Sequence, residues 1–386
     1  MSQSPTIVWL LQGTEGFGVA RAVQSLTHEL RSRGYRTVWA CFHEGQMAER
    51  GGALGVQVVQ LGVGQAPNLA GGVAQKALGV LRLRRFRRRV AEAAASALAN
   101  LDVRVVQCLW PSFVGITAEV ASRLEAKPVW EMPNTISDAL WGMNQRYYLG
   151  FCRKYKMIVL ANSDYTARSL GEASGVKLSV MHLGADPTVF DPERVTPISR
   201  NELGIPDRDD AVVFGIIARL DPSKGADRFL RAMLRLNDEM HLLLVGGPAD
   251  GEYAVELRRI VAQVGALDRL HIVGNVDDPE RYYAAMDVAV NCRVDAEPFG
   301  LSVIEAMMMG KPVLVHALGG PAETVIHNQT GWHIHSPAIP AMEAGIRLAV
   351  EQRERWPAMG TAARARATSR YTVASQAERY LEAVGI

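Results

Sequence analysis

Short apolar runs alternate with helix-length segments along almost the whole chain, and this pattern constrains the fold more than any other feature. Between the first two runs, Val19, Val23, Leu26 and Leu30 follow one another at steps of four, three and four, which is typical of an amphipathic helix. Strands that alternate with helices predict parallel sheets covered by helices. The predicted strands are Val8 to Leu11, Thr37 to Phe42, Val58 to Leu61, Val105 to Leu109, Pro128 to Trp130 and Met157 to Leu160, then Val212 to Ile217, His241 to Val245, His271 to Val273, Val288 to Val290 and Pro312 to Val315.

The alternation is interrupted once, between Asp186 and Asp210. This segment contains two Asp-Pro pairs, Thr196-Pro197 and Ile205-Pro206 among charged residues, a composition suited to a linker. A chain of 386 residues also exceeds what one hydrophobic core usually supports. We therefore predict an α/β protein with two Rossmann-like domains, 1–190 and 191–368.

Composition narrows the class of protein. A net charge of +2 gives no general attraction to nucleic acid, and 48% hydrophobic residues exclude a disordered chain. The four cysteines are far apart and form no metal-binding spacing, and Met1 leads into the first predicted strand without a basic signal region. These features predict a cytoplasmic, reduced protein. No apolar run approaches the ~20 residues of a membrane-spanning helix, so any membrane contact is expected to be peripheral.

Two glutamates, Glu297 and Glu305, lie eight positions apart in the most informative segment of the chain. Apolar residues recur at helical spacing from Leu301 to Met308, which predicts a helix that opens near Phe299. The first N–H groups of such a helix lack partners, so this end can bind phosphate. One carboxylate just before the helix and one about two turns inside it can hold hydroxyl groups on either side of a diphosphate. The pattern predicts a nucleotide-sugar site.

This segment and several landmarks in the same order resemble glycosyltransferase family 4, retaining enzymes with the GT-B fold. The resemblance implies two Rossmann-like domains that face a central cleft, with the acceptor in the first and the donor in the second. It also implies that a C-terminal helix, 369–386, crosses back to the first domain. The landmarks are Gly13 to Gly18, Arg33-Gly34-Tyr35, His182 to Asp186 with Phe190, Leu203 to Pro206, Ala218 to Gly225, Glu297 to Val313 and Gly319 to Glu323.

Arg219 and Lys224 follow a predicted strand, at the end where doubly wound sheets bind ligands. We expect these cations to hold the diphosphate and to stabilise the charge that it gains as the glycosidic bond breaks. Without the family resemblance, a surface pair at a helix start is the simpler interpretation. The Asp-x-Asp sequence at Asp207 and Asp209 lies in the linker, so we expect no metal ion.

By resemblance, Glu305 accepts hydrogen bonds from the ribose and Glu297 from the 3- and 4-hydroxyls of the sugar. The backbone N–H groups of Phe299, Gly300 and Leu301 would meet the phosphates and the sugar. Lys224 and Glu305 are thus expected to face ligand groups instead of protein groups. The alternative for each glutamate is a favourable charge near a helix N-terminus, which contributes only ~0.3–1 kcal/mol.

The first domain offers weaker signals. Gly16 and Gly18 would let the backbone approach a phosphate or sugar closely, although such glycines are often only a tight turn. Many family members carry a histidine facing the reacting sugar, and the matching position here is Asn134. An amide binds a hydroxyl but is no base near neutral pH. Glu131 could assist it, or could support the fold.

A dense basic run lies within a predicted helix of the first domain. Its apolar positions keep helical spacing, so it is either a core-packed helix with a charged outer face or a docking surface for an anionic membrane, as in some family members that glycosylate lipid carriers. Nucleic-acid binding is not expected. The run contains Arg82, Arg84, Arg85, Arg87, Arg88 and Arg89.

The resemblance implies a retaining glycosyltransferase that uses a UDP-sugar or GDP-sugar and no cofactor or metal, and that acts on one face of the donor. The acceptor is a glycan, a lipid-linked or a small-molecule alcohol. The site residues expected to act in catalysis are Arg219, Lys224, Glu297 and Asn134. Alternatives are a GT-B phosphorylase, a nucleotide-sugar epimerase, or a membrane-surface module without turnover. We expect a location in the cytoplasm or on the inner face of the membrane.

Overall fold

A computed structural model describes residues 4–64, 73–136, 143–171, 175–236 and 239–386. The chain divides into two compact units, Met1–Leu183 with Val373–Ile386, and Gly184–Thr372. The sequence placed the two changes of domain at 190/191 and 368/369. Each unit has its own parallel sheet and its own hydrophobic core.

The first unit contains a seven-stranded sheet with the order β3-β2-β1-β4-β5-β6-β7. Its inner strands are buried on both faces, as the continuous apolar runs predicted, with clusters of buried side chains on either side of the sheet, whereas the two edge strands are partly exposed. The elements are β1 Thr6–Leu11, α1 Phe17–Ser32, β2 Arg36–Cys41, α2 Gln46–Ala53, β3 Gln57–Gln60, α3 Val73–Leu98, β4 Val103–Cys108, α4 Val114–Arg123, β5 Lys127–Met132, α5 Met143–Lys154, β6 Ile158–Ala161, α6 Asp164–Arg168 and β7 Lys177–Val180.

The second unit contains a six-stranded sheet with the order β10-β9-β8-β11-β12-β13. The linker predicted from Asp186 to Asp210 contains one short 3-10 helix and otherwise no regular element. The elements are β8 Val212–Ile217, α7 Ala226–Met233, β9 Met240–Val245, α8 Glu252–Ala262, β10 Leu270–Gly274, α9 Pro279–Ala285, β11 Val288–Asn291, α10 Leu301–Met308, β12 Val313–His316, α11 Pro321–Thr324, β13 Gly331–Ile334, α12 Ile339–Glu351 and α13 Trp356–Arg370.

The last helix, α14 Val373–Val384, belongs to the first unit. Lys127 Nζ on β5 donates a hydrogen bond to the carbonyl oxygen of Val384 at 2.8 Å, and Arg33 donates to the carbonyl of Ala374 at 3.1 Å. Tyr380 donates to the buried side chain of Gln107 on β4. The predicted return of the C-terminal helix to the first sheet is confirmed. Among the described helices, none is both long and apolar enough to cross a membrane.

Candidate functional site

The order of strands in the second sheet reverses between β8 and β11, which are direct neighbours with Val288 opposite Phe214. The carboxyl ends of strands at such a reversal are where open α/β sheets bind ligands. Arg219 and Lys224 lie in the loop after β8, and Glu297 lies in the loop after β11. The fold therefore brings together two segments that the sequence analysis selected separately.

The loop after β8 is fixed by short-range and cross-loop contacts. The Asp221 carboxylate accepts hydrogen bonds from the N–H and the hydroxyl of Ser223, at 2.9 and 2.5 Å, and these bonds lower the pKa of Asp221. At Gly225, φ is +74°, and an added Cβ would lie 2.3 Å from the carbonyl oxygen of Cys292. Val294 also donates its N–H to the carbonyl of Ser223 at 2.8 Å. The loops after β8 and β11 thus hold each other in place.

Lys224 and Glu297 form an ion pair across these two loops. The distance from Lys224 Nζ to Glu297 Oε2 is 3.0 Å, and the side chains are 20% and 13% exposed. Arg293 Nη1 lies 3.5 Å from the same carboxylate oxygen. The expectation that Lys224 has no protein partner is therefore wrong. Glu297 is held between two cations, and both of them determine the position of its carboxylate.

Arg293 and Asp295 are members of this cluster that the sequence analysis missed. Two nitrogens of Arg293 bind the Asp295 carboxylate at 2.5 and 3.1 Å, and this bonding is the main cause of the raised pKa of Arg293. The charged residues at every second position, 293, 295 and 297, were the available signal. Arg219, in contrast, is exposed and forms no ion pair within 4 Å among the residues that the structure describes, although its charge contributes to the lowered pKa of Asp221. Arg219 is therefore open to an incoming anion.

The backbone between Glu297 and α10 is clamped by two glycines. The N–H of Gly320 donates to the carbonyl of Glu297 at 2.8 Å, and a Cβ at Gly320 would lie 2.5 Å from the Cα of Phe299. Gly300 is left-handed, with φ 88°, and the helix begins at Leu301, two positions later than predicted. The buried Phe299 ring packs against Tyr371 with centroids 6.1 Å apart. These contacts fix the position of the N-terminus of α10.

Glu305 is the fifth residue of α10 and lies little more than one turn inside the helix, not two. Its side chain is 2% exposed, and Oε2 accepts a hydrogen bond from the hydroxyl of Tyr283 on α9 at 3.0 Å. The expectation that Glu305 has no protein partner is therefore wrong as well. Its contact with a ribose stays a prediction, and Tyr283 is a further residue that the sequence analysis did not select.

The first sheet also reverses its strand order, between β1 and β4. Gly16 is the N-cap residue of α1 and Gly18 lies in its first turn, and an added Cβ at either position would meet nothing within 4 Å. Neither glycine is required by internal packing, so their proposed role toward a ligand stays a prediction. Glu15, missed in the sequence, is only 2% exposed and accepts from the N–H groups of Gln12 and Gly13 at 2.5 and 3.0 Å.

Asn134 and Glu131 differ sharply in environment. Asn134 is exposed in a bend after β5, and its side chain has no hydrogen-bond partner among the described residues. Among the described residues, the Asn134 amide therefore makes no hydrogen bond that would stabilise the turn. Glu131 lies on β5 and is 4% exposed, and burial raises its pKa to about 7. Burial, and then the charge of Glu131, raise the pKa of Tyr380 on α14, and this proximity to a packed helix favours a role of Glu131 in the fold.

The arginine run lies on α3, whose Phe86 and Val90 are fully buried, as helical spacing predicted. Arg87 is turned inward, 3.4 Å from Glu119 and with its guanidinium 5.1 Å from the Phe151 ring. Arg88 pairs with Glu92 at 3.1 Å. A shallow groove of about 490 Å³ is lined by Arg84, Arg87, Arg88, Glu119, Ser122, Arg123 and Tyr155, and Arg82, Arg85 and Arg89 are exposed beside it.

Two Rossmann-like units, with paired loops at the strand reversal of the second, define the class as a GT-B protein. Residues 196–366 match the family of glycosyl transferases group 1. The structure of HepE from Anabaena in complex with UDP and glucose superposes with a TM-score of 0.79 at 21% identity, over 98% of this chain and 99% of that one. The predicted GT-B fold is confirmed.

Curated relatives match a shorter part of the chain. The GDP-mannose-dependent alpha-(1-6)-phosphatidylinositol monomannoside mannosyltransferase of Mycobacterium tuberculosis is 30% identical over 231 residues, 55% of this chain and 58% of that protein. The D-inositol 3-phosphate glycosyltransferase of Streptomyces avermitilis is 31% identical over 248 residues, 57% and 53% of the two chains. The chain thus spans a little over half the length of these relatives. These matches confirm the predicted resemblance to glycosyltransferase family 4.

Proposed function

We propose that the protein transfers a sugar from a nucleoside-diphosphate sugar to an acceptor hydroxyl, with retention at the anomeric carbon. The observation that supports this most directly is the Lys224–Glu297 pair, 3.0 Å apart at the strand reversal and directly before α10. It places a cation suited to a diphosphate beside a carboxylate suited to sugar hydroxyls. The N-terminus of α10 supplies unpaired N–H groups to the same ligand.

The cations act mainly on the leaving group. An ammonium group has three donors, so Lys224 can bind a phosphate oxygen while it keeps its bond to Glu297. Arg219 is exposed and can approach the same diphosphate. Because the leaving nucleoside diphosphate gains negative charge as the glycosidic bond breaks, both groups stabilise the transition state more than the ground state.

Glu297 would orient the sugar. Its carboxylate is held by Lys224 and Arg293, and Arg293 is itself fixed by Asp295. In the one-face reaction that we propose, the donor phosphate takes the acceptor proton, so the protein needs a positioning group and no base. We assign that positioning role to Asn134. NMR of the anomeric centre of the product tests the proposal, and an inverted configuration would overturn the mechanism.

We propose that the reaction needs no metal ion. Asp207 and Asp209 are both exposed in the loop before β8, where ordinary solvation explains them, and the cations described above can take the role of a metal at the diphosphate. Transfer should therefore continue in EDTA at an unchanged rate. A rate that disappears in EDTA and returns with Mn²⁺ would contradict this proposal.

The donor is proposed to be a GDP-sugar or a UDP-sugar, in line with the donors that the names of the relatives and of the HepE complex mention. Calorimetric titration with GDP and UDP distinguishes them. The Arg231→Ala variant removes a partly exposed cation on α7 and should bind the nucleoside diphosphate as the wild type does, which controls for the loss of one positive charge. If neither diphosphate binds with a 1:1 ratio, the donor-site assignment fails.

For the acceptor, we propose a lipid-linked alcohol that the protein reaches from the inner face of an anionic membrane, through the exposed arginines of α3. Arg82, Arg84, Arg85, Arg88 and Arg89 are exposed, whereas Arg87 is tied to Glu119. Replacement of the five exposed arginines by glutamine should abolish flotation with vesicles that contain anionic lipid, without changing turnover on a soluble acceptor. Equal flotation of this variant would exclude the surface. Full activity of the wild type in the absence of vesicles would instead indicate a glycan or a small-molecule acceptor.

A further inference from the structure

His316, the last residue of β12, is a buried histidine at the carboxyl edge of the second sheet. It is only 4% exposed, and its Nδ1 lies 2.6 Å from the carbonyl oxygen of Arg293. A carbonyl oxygen can only accept, so Nδ1 carries the proton and donates it. Among the described residues, the His316 ring makes no other hydrogen bond. The polar side of this ring is therefore committed to one backbone group.

The peptide unit that joins Arg293 to Val294 is held at both of its polar groups. Its carbonyl accepts from His316 on β12, and its N–H donates to the carbonyl of Ser223, in the loop after β8, at 2.8 Å. The strand that leads into this peptide unit, β11, lies between β8 and β12 in the sheet. Because a peptide unit is planar, hydrogen bonds at both its N–H and its C=O fix its orientation.

The orientation of this peptide unit determines where the Arg293 side chain begins. The Arg293 guanidinium binds Asp295 at 2.5 Å, and its Nη1 lies 3.5 Å from Glu297 Oε2. A rotation of the peptide unit would displace the Cα of Arg293 and draw the guanidinium away from Glu297. The sequence of contacts thus runs from the His316 ring through the backbone of Arg293 to the Glu297 carboxylate.

We propose that His316 is a positioning residue for sugar transfer, which acts on Glu297 through Arg293. The inference rests on the proposed function, in which Glu297 orients the sugar of the donor. A histidine that only satisfied a buried carbonyl would affect stability and leave turnover per folded molecule unchanged. A positioning residue instead affects turnover of the nucleotide sugar. It leaves the affinity for the free nucleoside diphosphate almost unchanged, because that ligand has no sugar to orient.

Three substitutions of His316 test this role. His316→Asn places an amide nitrogen where Nδ1 lies and should keep turnover within about threefold of the wild type. His316→Gln carries its amide one bond further from the backbone, and His316→Leu has no donor. Both should lower turnover per folded molecule by about tenfold or more, because a small displacement of a group that orients the substrate has a large effect on rate. Calorimetric titration with GDP and UDP should give affinities within about twofold of the wild type for all three variants.

His241→Leu is the matched control. His241 is 2% exposed and lies near the amino end of β9, and its Nδ1 lies 3.2 Å from the carbonyl oxygen of Asp268. This variant also loses a buried ring beside a backbone carbonyl, but at the opposite edge of the sheet from the loops of the site. We expect a lower melting temperature, as for His316→Leu, with turnover per folded molecule unchanged.

The Glu297→Gln variant separates this inference from the proposed function. Glu297→Gln alone should lower turnover, and His316→Leu should add less than about twofold to that loss, because both changes act on the same contact. If the two losses multiply instead, His316 does not act through Glu297, and the inference fails while the role of Glu297 stands. Equal turnover of His316→Asn and His316→Gln would overturn it too, and this comparison decides the matter if His316→Leu does not fold. Full turnover of Glu297→Gln would overturn the proposed role of Glu297, and the role of His316 with it.

Discussion

The two strand reversals carry buried or half-buried carboxylates with opposite kinds of partner. In the first unit, Glu15 accepts hydrogen bonds from two backbone N–H groups of its own loop and from Trp110 at 3.3 Å. In the second unit, Glu297 is bound by Lys224, a flexible side chain from a different loop. Each backbone N–H group has one hydrogen, which the Glu15 carboxylate already accepts, whereas an ammonium group has further hydrogens that it can donate to a ligand. We therefore propose that equivalent places in two similar folds serve structure in one unit and binding in the other.

The largest effect is expected for Lys224→Ala, which removes the exchangeable partner. Without the ammonium group, the developing charge on the diphosphate loses a fixed donor, and we expect turnover to fall by about 10²–10³-fold. The affinity for the nucleoside diphosphate should fall with it. Transfer rates and calorimetric titration measure both quantities, with Arg231→Ala as the control for a lost surface cation. Rates and affinity within twofold of the wild type would remove Lys224 from the site.

Glu131→Gln tests a buried carboxyl group that we expect to affect the stability of the fold and not binding. Burial raises the folded-state pKa of Glu131 from 4.5 to about 7, so between these values the folded chain holds a proton that the unfolded chain releases. This contribution to stability is complete below pH 4.5 and is lost as the pH rises to 7. The variant should therefore be more stable than the wild type at pH 8, by roughly 3 kcal/mol at most, and equal to it at pH 4.

Urea unfolding of both proteins from pH 4 to pH 8 measures this difference. A constant difference across the range would show that Glu131 does not titrate as its burial predicts. Turnover per folded molecule should be similar in the two proteins. In this respect Glu131 should differ from Lys224 of the second unit, whose replacement is expected to lower turnover.

Glu15→Ala should lower the free energy of unfolding by about 2 kcal/mol, because it leaves two backbone N–H groups and the Trp110 indole without their acceptor. The change tests whether the first loop is fixed by its own backbone. Urea unfolding measures the loss, and the affinity for the nucleoside diphosphate reports on the second unit. A loss of affinity with unchanged stability would mean that the first loop serves binding, and the contrast between the two units would fail.

The strands were predictable wherever the chain carries a short continuous apolar run. β7 and β13 were not predicted, because edge strands with sequences such as Lys177–Val180 and Gly331–Ile334 carry too few apolar residues to form a clear run. The sequence also indicated that Arg219 and Lys224 follow a strand, because an apolar run followed by charged residues is a local feature.

The partners of the site residues could not be read from the sequence. Lys224 and Glu297 are 73 positions apart, and their contact depends on the β8–β11 neighbourhood that only the folded sheet creates. The hydrogen bond that Glu305 accepts from Tyr283 on α9 likewise had no local signal in the sequence. Glutamates are mostly exposed, so the burial of Glu15 and Glu131 had no local signal either.

Asn134→Ala should give the smallest effect, a reduction of turnover by about tenfold, equal to about 1.4 kcal/mol of transition-state binding. The amide is exposed and has no hydrogen-bond partner among the described residues, so its loss should leave the melting temperature unchanged. Rates and melting curves for the variant are compared with those of Asn134→Gln, which keeps an amide on a longer side chain. A lower melting temperature with full turnover per folded molecule would assign Asn134 to the turn after Pro133, and complete loss of turnover would show that the reaction needs more from this position than orientation of a hydroxyl.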